Sequence, residues 1–253
     1  MGKVKIKRKS TLIDMTAMSD VTVLLLTFFM LTSTFLQKEP TTVITPSSVS
    51  EIKVPVANLV TVLISGPNDK DKDKMDTEGK VFISIAGDAD STFSSEKVRA
   101  EVLKEAVKLY KEKTGKDLGL TQADVNKFAK INMFGVKFAN LKEFLDLPQT
   151  KQDEIIGDMT QPYVGIPIND NKEVDTPRNM NEFQIWMKAI YNVAQNNQVG
   201  NSTLIEALKT GEGIAVKADK GSRYSRIHNV LDNLQTLKLN KFSLMTALKT
   251  END

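Results

Sequence analysis

The sequence contains no cysteine, so it can form neither a disulfide nor a thiolate metal site. That absence does not choose a compartment, because cytosolic and periplasmic proteins alike can lack cysteine. Its single histidine, His228, argues against an imidazole metal cluster and against a Ser-His-Asp triad. Aromatic residues are scarce, at 6%. Excess charge is also missing: 34 basic and 32 acidic residues leave a net charge of +2. That balance gives no reason to expect nucleic acid or a uniformly acidic partner. There is no phosphate loop, no zinc signature and no nucleophile–base arrangement, so an enzyme is the function class with least support. What remains is a chain of 253 residues, long enough for one large domain or two small ones, with 40% hydrophobic content to build a core.

The start of the chain departs from this even balance. Residues 3–9 read KVKIKRK, with no acid among them. From Val21 to Leu36, eleven of sixteen residues are apolar and none is charged. A basic start followed by an apolar run fits both a cleaved signal peptide and a membrane anchor. Two features favour the anchor. Twenty residues from Ala17 to Leu36 make about 30 Å of helix, enough to cross a bilayer. The exit, TSTFLQKEP, offers only a weak small-residue cleavage site and no A-x-A. Lys and Arg on the N-terminal flank keep that end cytoplasmic. The expected layout is a basic cytoplasmic tail (1–14), a transmembrane helix (15–36), a flexible linker (37–50) and a periplasmic α/β domain (51–253). The fold class expected is α+β: one transmembrane helix, then a small mixed α/β domain carrying a helical insertion at about 118–200.

Asp20 lies inside this span. A carboxylate at the centre of a membrane helix costs roughly 2.5–3.5 kcal/mol on insertion scales, and less toward the interface. A group that can be charged or neutral within a membrane is what a proton relay needs. At about 100° per residue, Thr27 falls about 20° from Asp20, and Thr16 and Thr34 each about 40°. These four side chains form a polar seam that suits a protein partner or a water-filled path better than lipid. The competing reading is that Asp20 sits at the interface and the span starts at Val21, which leaves about 24 Å of helix. Spacing alone leaves the two readings open.

The stretch Ile13–Met30, IDMTAMSDVTVLLLTFFM, resembles the ExbD/TolR signature of a basic tail, an I-x-x-T-P-like helix start, one Asp and a Leu-rich run ending near F-M. Asp20 matches the family's membrane aspartate and Thr16 the threonine before it, while Ala17 stands where the proline usually does. Near the other end, Ile214–Lys220 (IAVKADK) is similar to the family's strand ending in A-D-K. Tyr224, Val230, Leu231 and Leu234 fall on the apolar face of the next helix, and Lys241–Thr246 resembles the closing strand. Ile52–Ala57 (IKVPVA) is similar to the short L-P motif after the membrane linker. The resemblance implies the single-span subunit of a proton-driven envelope motor, dimeric, inside a ring of multi-span ExbB/TolQ-type subunits. Work would pass to a TonB- or TolA-like protein spanning the periplasm. It implies no cofactor and no metal.

Elsewhere, QKEPTTVITPSSVS (37–50) reads as a linker, and Val60–Ile64 and Val81–Ile85 as strands. Between them, Asp69, Asp71 and Asp73 alternate as in a calcium loop. However, Lys74 takes the turn-glycine position and Lys80 the bidentate-acid position, which favours a solvated hairpin loop. Residues 95–114 predict an amphipathic helix capped by Ser94 or Ser95 and ended by Gly115, with Val98, Val102, Ala106, Leu109 and Tyr110 buried. The insertion holds helical patterns at 122–131 and 180–196. In the second, Phe183, Trp186 and Tyr191 read as core rather than partner surface. His228 reads as a surface or boundary residue.

Two functions compete. In one, the chain is a motor subunit energising TonB-dependent transport, with TolR-like envelope maintenance or gliding as variants. In the other, the helix is only a tether and the domain binds peptidoglycan or an envelope protein.

Overall fold

The computed structural model describes residues 15–32, 39–41, 43–48, 55, 57–67, 79–87, 92–169, 171–196 and 202–248. The chain divides into two units, Met1–Lys38 and Glu39–Asp253.

The first unit contains helix α1 (Met15–Thr32), of 18 residues. Every described side chain in it, Met18–Leu31, is exposed. Its β-branched threonines are accommodated by bonding back into the helix: Thr22 Oγ1 donates to Met18 O (2.7 Å) and Thr27 Oγ1 to Leu24 O (2.9 Å). Among the described residues no helix is long and apolar enough to cross a membrane. At 18 residues α1 is about 27 Å long, just short of a roughly 30 Å hydrocarbon core. The expected span runs on through 33–36, which lie outside the described residues.

The second unit is built on strands β2 (Leu59–Ile64) and β3 (Val81–Ala86), an antiparallel pair in the order expected from their β-branched runs. Strand β5 (Ile214–Ala218) lies parallel to β2 on its other side, and β6 (Ser243–Met245) parallel to β5. With β4 (Met133–Phe134) outside β3, the sheet order is β4-β3-β2-β5-β6. Val60, Val62, Leu63, Ile64, Phe82, Ile83 and Ile85 are all fully buried, so β2 and β3 are covered on both faces. A separate parallel pair joins β1 (Ser47–Ser48) to β7 (Ala247–Leu248).

Helix α2 (Thr92–Thr114) begins three residues before Ser95, whose hydroxyl accepts the Gly87 N–H (2.9 Å) from the first turn. Val98, Val102, Ala106 and Leu109 are buried, and Tyr110 is partly buried. Gly115 ends the helix at φ +70°, returning its N–H to Lys111 O. Helix α8 (Tyr224–Thr236) connects β5 to β6 and buries Val230 and Leu234. Tyr224 departs from expectation and is 76% exposed. Six residues before Val230 it lies about 120° around the helix, off the buried face, and packs on His228 instead.

Between α2 and β5 come α3 (Gln122–Ala129), β4, α4 (Phe138–Asp146), α5 (Gln149–Gly157), α6 (Glu182–Gln195) and α7 (Ser202–Thr210). Capping boxes start the two helices that pattern predicted: Thr121 with Asp124 for α3, Asn181 with Gln184 for α6. The insertion, expected to be helical, also holds a short strand. Its β4 extends the sheet by pairing with β3, and Val136 bridges Val164. Trp186 and Phe183 of α6 are fully buried, as expected of core. Trp186 stacks on Phe138 (4.7 Å) and Phe128 (5.7 Å) and tilts against Phe134 (4.6 Å). Phe138 also stacks on Tyr110, which ties the insertion to α2.

Candidate functional site

Asp20 lies in the second turn of α1, exposed within its own unit, as is Thr27 about two turns on. Thr16 lies in the same helix, and Thr34 falls outside the described residues. The arrangement is an apolar helix, its described side chains exposed, that carries one ionisable group.

In the folded unit the residues around the A-D-K motif form a junction. The Asp219 N–H donates to Ile64 O at the end of β2. Its carboxylate accepts the Gly221 N–H through Oδ1 (2.8 Å) and the Ile44 N–H through Oδ2 (2.9 Å). Lys220 N–H donates to Ile44 O, closing a reciprocal pair with the segment read as a linker. Ser222 Oγ donates to Ser65 O (3.0 Å). Val43 packs against the core, and Lys217 pairs with Glu39 (2.7 Å). Residues 39–41 and 43–48 thus lie along the β5–β6 end of the sheet, continued by the β1–β7 pair. Of the L-P motif, Pro55 and Ala57 are described and the other residues are not. The motif was legible in the sequence. The role of Asp219 as an anchor for Ile44 was not, since 175 residues separate them.

Three charged groups that sequence reasoning passed over are held inside the unit. Lys80, noted only as a misfit for calcium, is 5% exposed and donates to Gln161 O (2.5 Å). Arg99 of α2 donates to Ile85 O and Ala129 O, clamping α3 onto β3, and burial lowers its pKa. Glu182 accepts the Phe138 N–H at the start of α4 (2.9 Å). Burial pushes its carboxyl above the usual range, against that hydrogen bond and the charges of Lys113 and Lys137. His228 is half-exposed and pairs with Asp232 (2.8 Å). Among the described residues no group of His, Cys, Asp and Glu is placed to hold a metal ion. Asp69, Asp71 and Asp73 lie outside them.

No curated protein and no solved structure matches the chain significantly. A family model described as biopolymer transport protein ExbD/TolR matches residues 7–249. The match takes in α1, the sheet and the insertion alike. The chain belongs to the ExbD/TolR family, membrane-associated accessory proteins of biopolymer transport that are not enzymes.

Proposed function

We propose that the chain is the single-span subunit of an inner-membrane motor driven by the proton-motive force. In this reading α1 crosses the membrane with the N-terminus cytoplasmic and residues 37–253 periplasmic. A ring of multi-span ExbB/TolQ-type subunits surrounds a dimer of the helix. Asp20 takes up and releases protons along the seam it forms with Thr16, Thr27 and Thr34. The folded unit passes the work to a TonB- or TolA-like protein, energising TonB-dependent transport across the outer membrane.

The observation that carries this reading is α1 itself. A helix with Leu24, Leu25, Leu26, Phe28 and Phe29 all more than half exposed has no place in water. A lone tether has no use for the cost of Asp20 at membrane depth. One elementary charge crossing 100 mV releases about 2.3 kcal/mol, so a stroke of substantial work takes several protons.

The test is Asp20→Asn, which keeps size and hydrogen bonding and removes the titratable proton. With the variant at matched level in the membrane, energised uptake of a TonB-dependent nutrient should fall about tenfold or more. Unchanged uptake would overturn the relay and leave a tethered domain that binds peptidoglycan or an envelope protein.

A further inference from the structure

Helix α4 starts on Lys137, whose side chain caps none of the backbone N–H groups that open the helix. An acceptor for one of them comes from 44 residues away: Glu182, the first residue of α6, accepts the Phe138 N–H through Oε2 (2.9 Å). The Phe138 ring stacks on Tyr110 of α2 (4.6 Å) and on Trp186 of α6 (4.7 Å). One partly buried carboxyl therefore sits where α2, α4 and α6 meet, and it holds the start of α4 in place.

Two cations act on this carboxyl, Lys113 of the last turn of α2 and Lys137. Neither forms an ion pair with it among the described residues. Lys113 Nζ donates to Met180 O instead. Burial pushes the Tyr110 phenol above its ordinary range and the charge of Glu182 adds to this, so Tyr110 stays neutral where a carboxyl titrates. Among the described residues no charge on α7 or α8, the other helices packed on α6, acts on Glu182. His228 and Asp232 of α8 pair with each other.

An enclosed carboxylate loses hydration and regains it only from several donors or a close cation. Glu182 has one donor and no ion pair among the described residues. The neutral carboxyl occupies the same place at lower cost, and burial outweighs the Phe138 N–H and the two lysines in raising its pKa. Release of the start of α4 returns the group to water. Docked and released forms thus differ in how tightly they hold one proton.

We propose that Glu182 is a proton-operated latch on the insertion: protonated, it keeps the start of α4 docked against α2 and α6; ionised, it favours release of that start. The pH of the compartment bathing the folded unit then sets how firmly the insertion is held. Docking gains nothing further below the ordinary carboxyl value of 4.5 and loses ground as pH rises through the raised one. The latch is independent of Asp20.

The test is amide exchange in the full-length chain in detergent micelles, isotope-labelled on phenylalanine nitrogen and corrected for the intrinsic pH dependence of exchange. Protection at Phe138 should fall as pH rises from about 4.5, by no more than about tenfold per pH unit for one proton, and then level off. Phe82, fully buried in β3, should change far less. Glu182→Gln keeps an oxygen to accept the Phe138 N–H and should make Phe138 protection flat against pH. Lys137→Gln removes a charge that favours the ionised form, so the fall should run on to higher pH. Phe138 protection that ignores pH, rises with it, or falls in Glu182→Gln as in the unaltered chain would overturn the proposal. So would a Lys137→Gln profile that coincides with the unaltered one, and this comparison decides should Glu182→Gln not fold.

Discussion

Helices α1 and α6 are both rich in large apolar residues, and they treat them in opposite ways. In α6, Phe183, Ile185, Trp186, Met187 and Ile190 are fully buried in the folded unit. In α1, Leu24, Phe28 and Phe29 are each about 60% exposed. The difference does not lie in helix propensity but in what surrounds each helix. The sequence around α6 supplies its neighbours, Phe128, Phe134 and Phe138. Among the described residues nothing covers the apolar surface of α1 in this way. An apolar helix left uncovered poses a question about partners, while one that is covered is a statement about stability.

The largest effect that would break this comparison is on folding. Trp186→Ala removes a fully buried side chain from between three rings and should destabilise the folded unit by about 3–5 kcal/mol. Phe28→Ala in α1 should leave the same unfolding transition unchanged. Chemical denaturation of both variants, read by Trp fluorescence for Phe28→Ala and by circular dichroism for both, checks the pair. A Phe28→Ala loss matching that of Trp186→Ala would mean α1 packs on the folded unit. Trp186→Phe should cost less than Trp186→Ala, because the Trp186 Nε1–H has no hydrogen-bond partner among the described residues to lose.

A middle-sized effect concerns Asp219. Asp219→Ala strips acceptors from the Ile44 and Gly221 N–H groups, and hydrogen bonds to a charged group contribute roughly 1.5–3 kcal/mol each at most. Since Ile44 is itself 57% exposed, water replaces part of that, and a loss of about 1–2 kcal/mol is expected. Hydrogen exchange should accelerate at Ile44 and Lys220 while remaining slow at Val62 in the sheet centre. Uniform acceleration would mean that the junction is part of the core rather than a local anchor.

These residues also mark how far the sequence could be read. Strands β2 and β3 and helix α2 were legible because local periodicity and β-branched runs encode them, and Gly115 placed the helix end. Asp20 stood out because one charge interrupts an apolar run. Strand β4 was not legible, since two residues carry no alternation and the strand exists only by pairing with β3. The docking of Ile44 was hidden in Ser, Thr and Pro composition that also describes a free linker. Tyr224 was misjudged because a helix face drifts over six residues. Lys80 was read from its place in a loop, and its burial follows from the insertion, whose Gln161 carbonyl meets it from 81 residues away.

The smallest effect concerns the partly buried carboxyl of Glu182 at the start of α6. Glu182 has its pKa raised above the ordinary 4.5 by burial, so the folded unit favours its neutral form more than the unfolded chain does. The folded state therefore holds the proton to higher pH. The stability this contributes is fully present below about 4.5 and is lost as pH rises through the raised folded value. Glu182→Gln, which cannot titrate, should flatten that part of the profile of unfolding free energy against pH. The Gln side-chain oxygen can still accept the Phe138 N–H, so the α4 start should survive. Unfolding free energies of the two proteins measured upward from about pH 4 should converge at the acid end and separate as pH rises. A constant difference across the range would mean that Glu182 acts through its hydrogen bond alone.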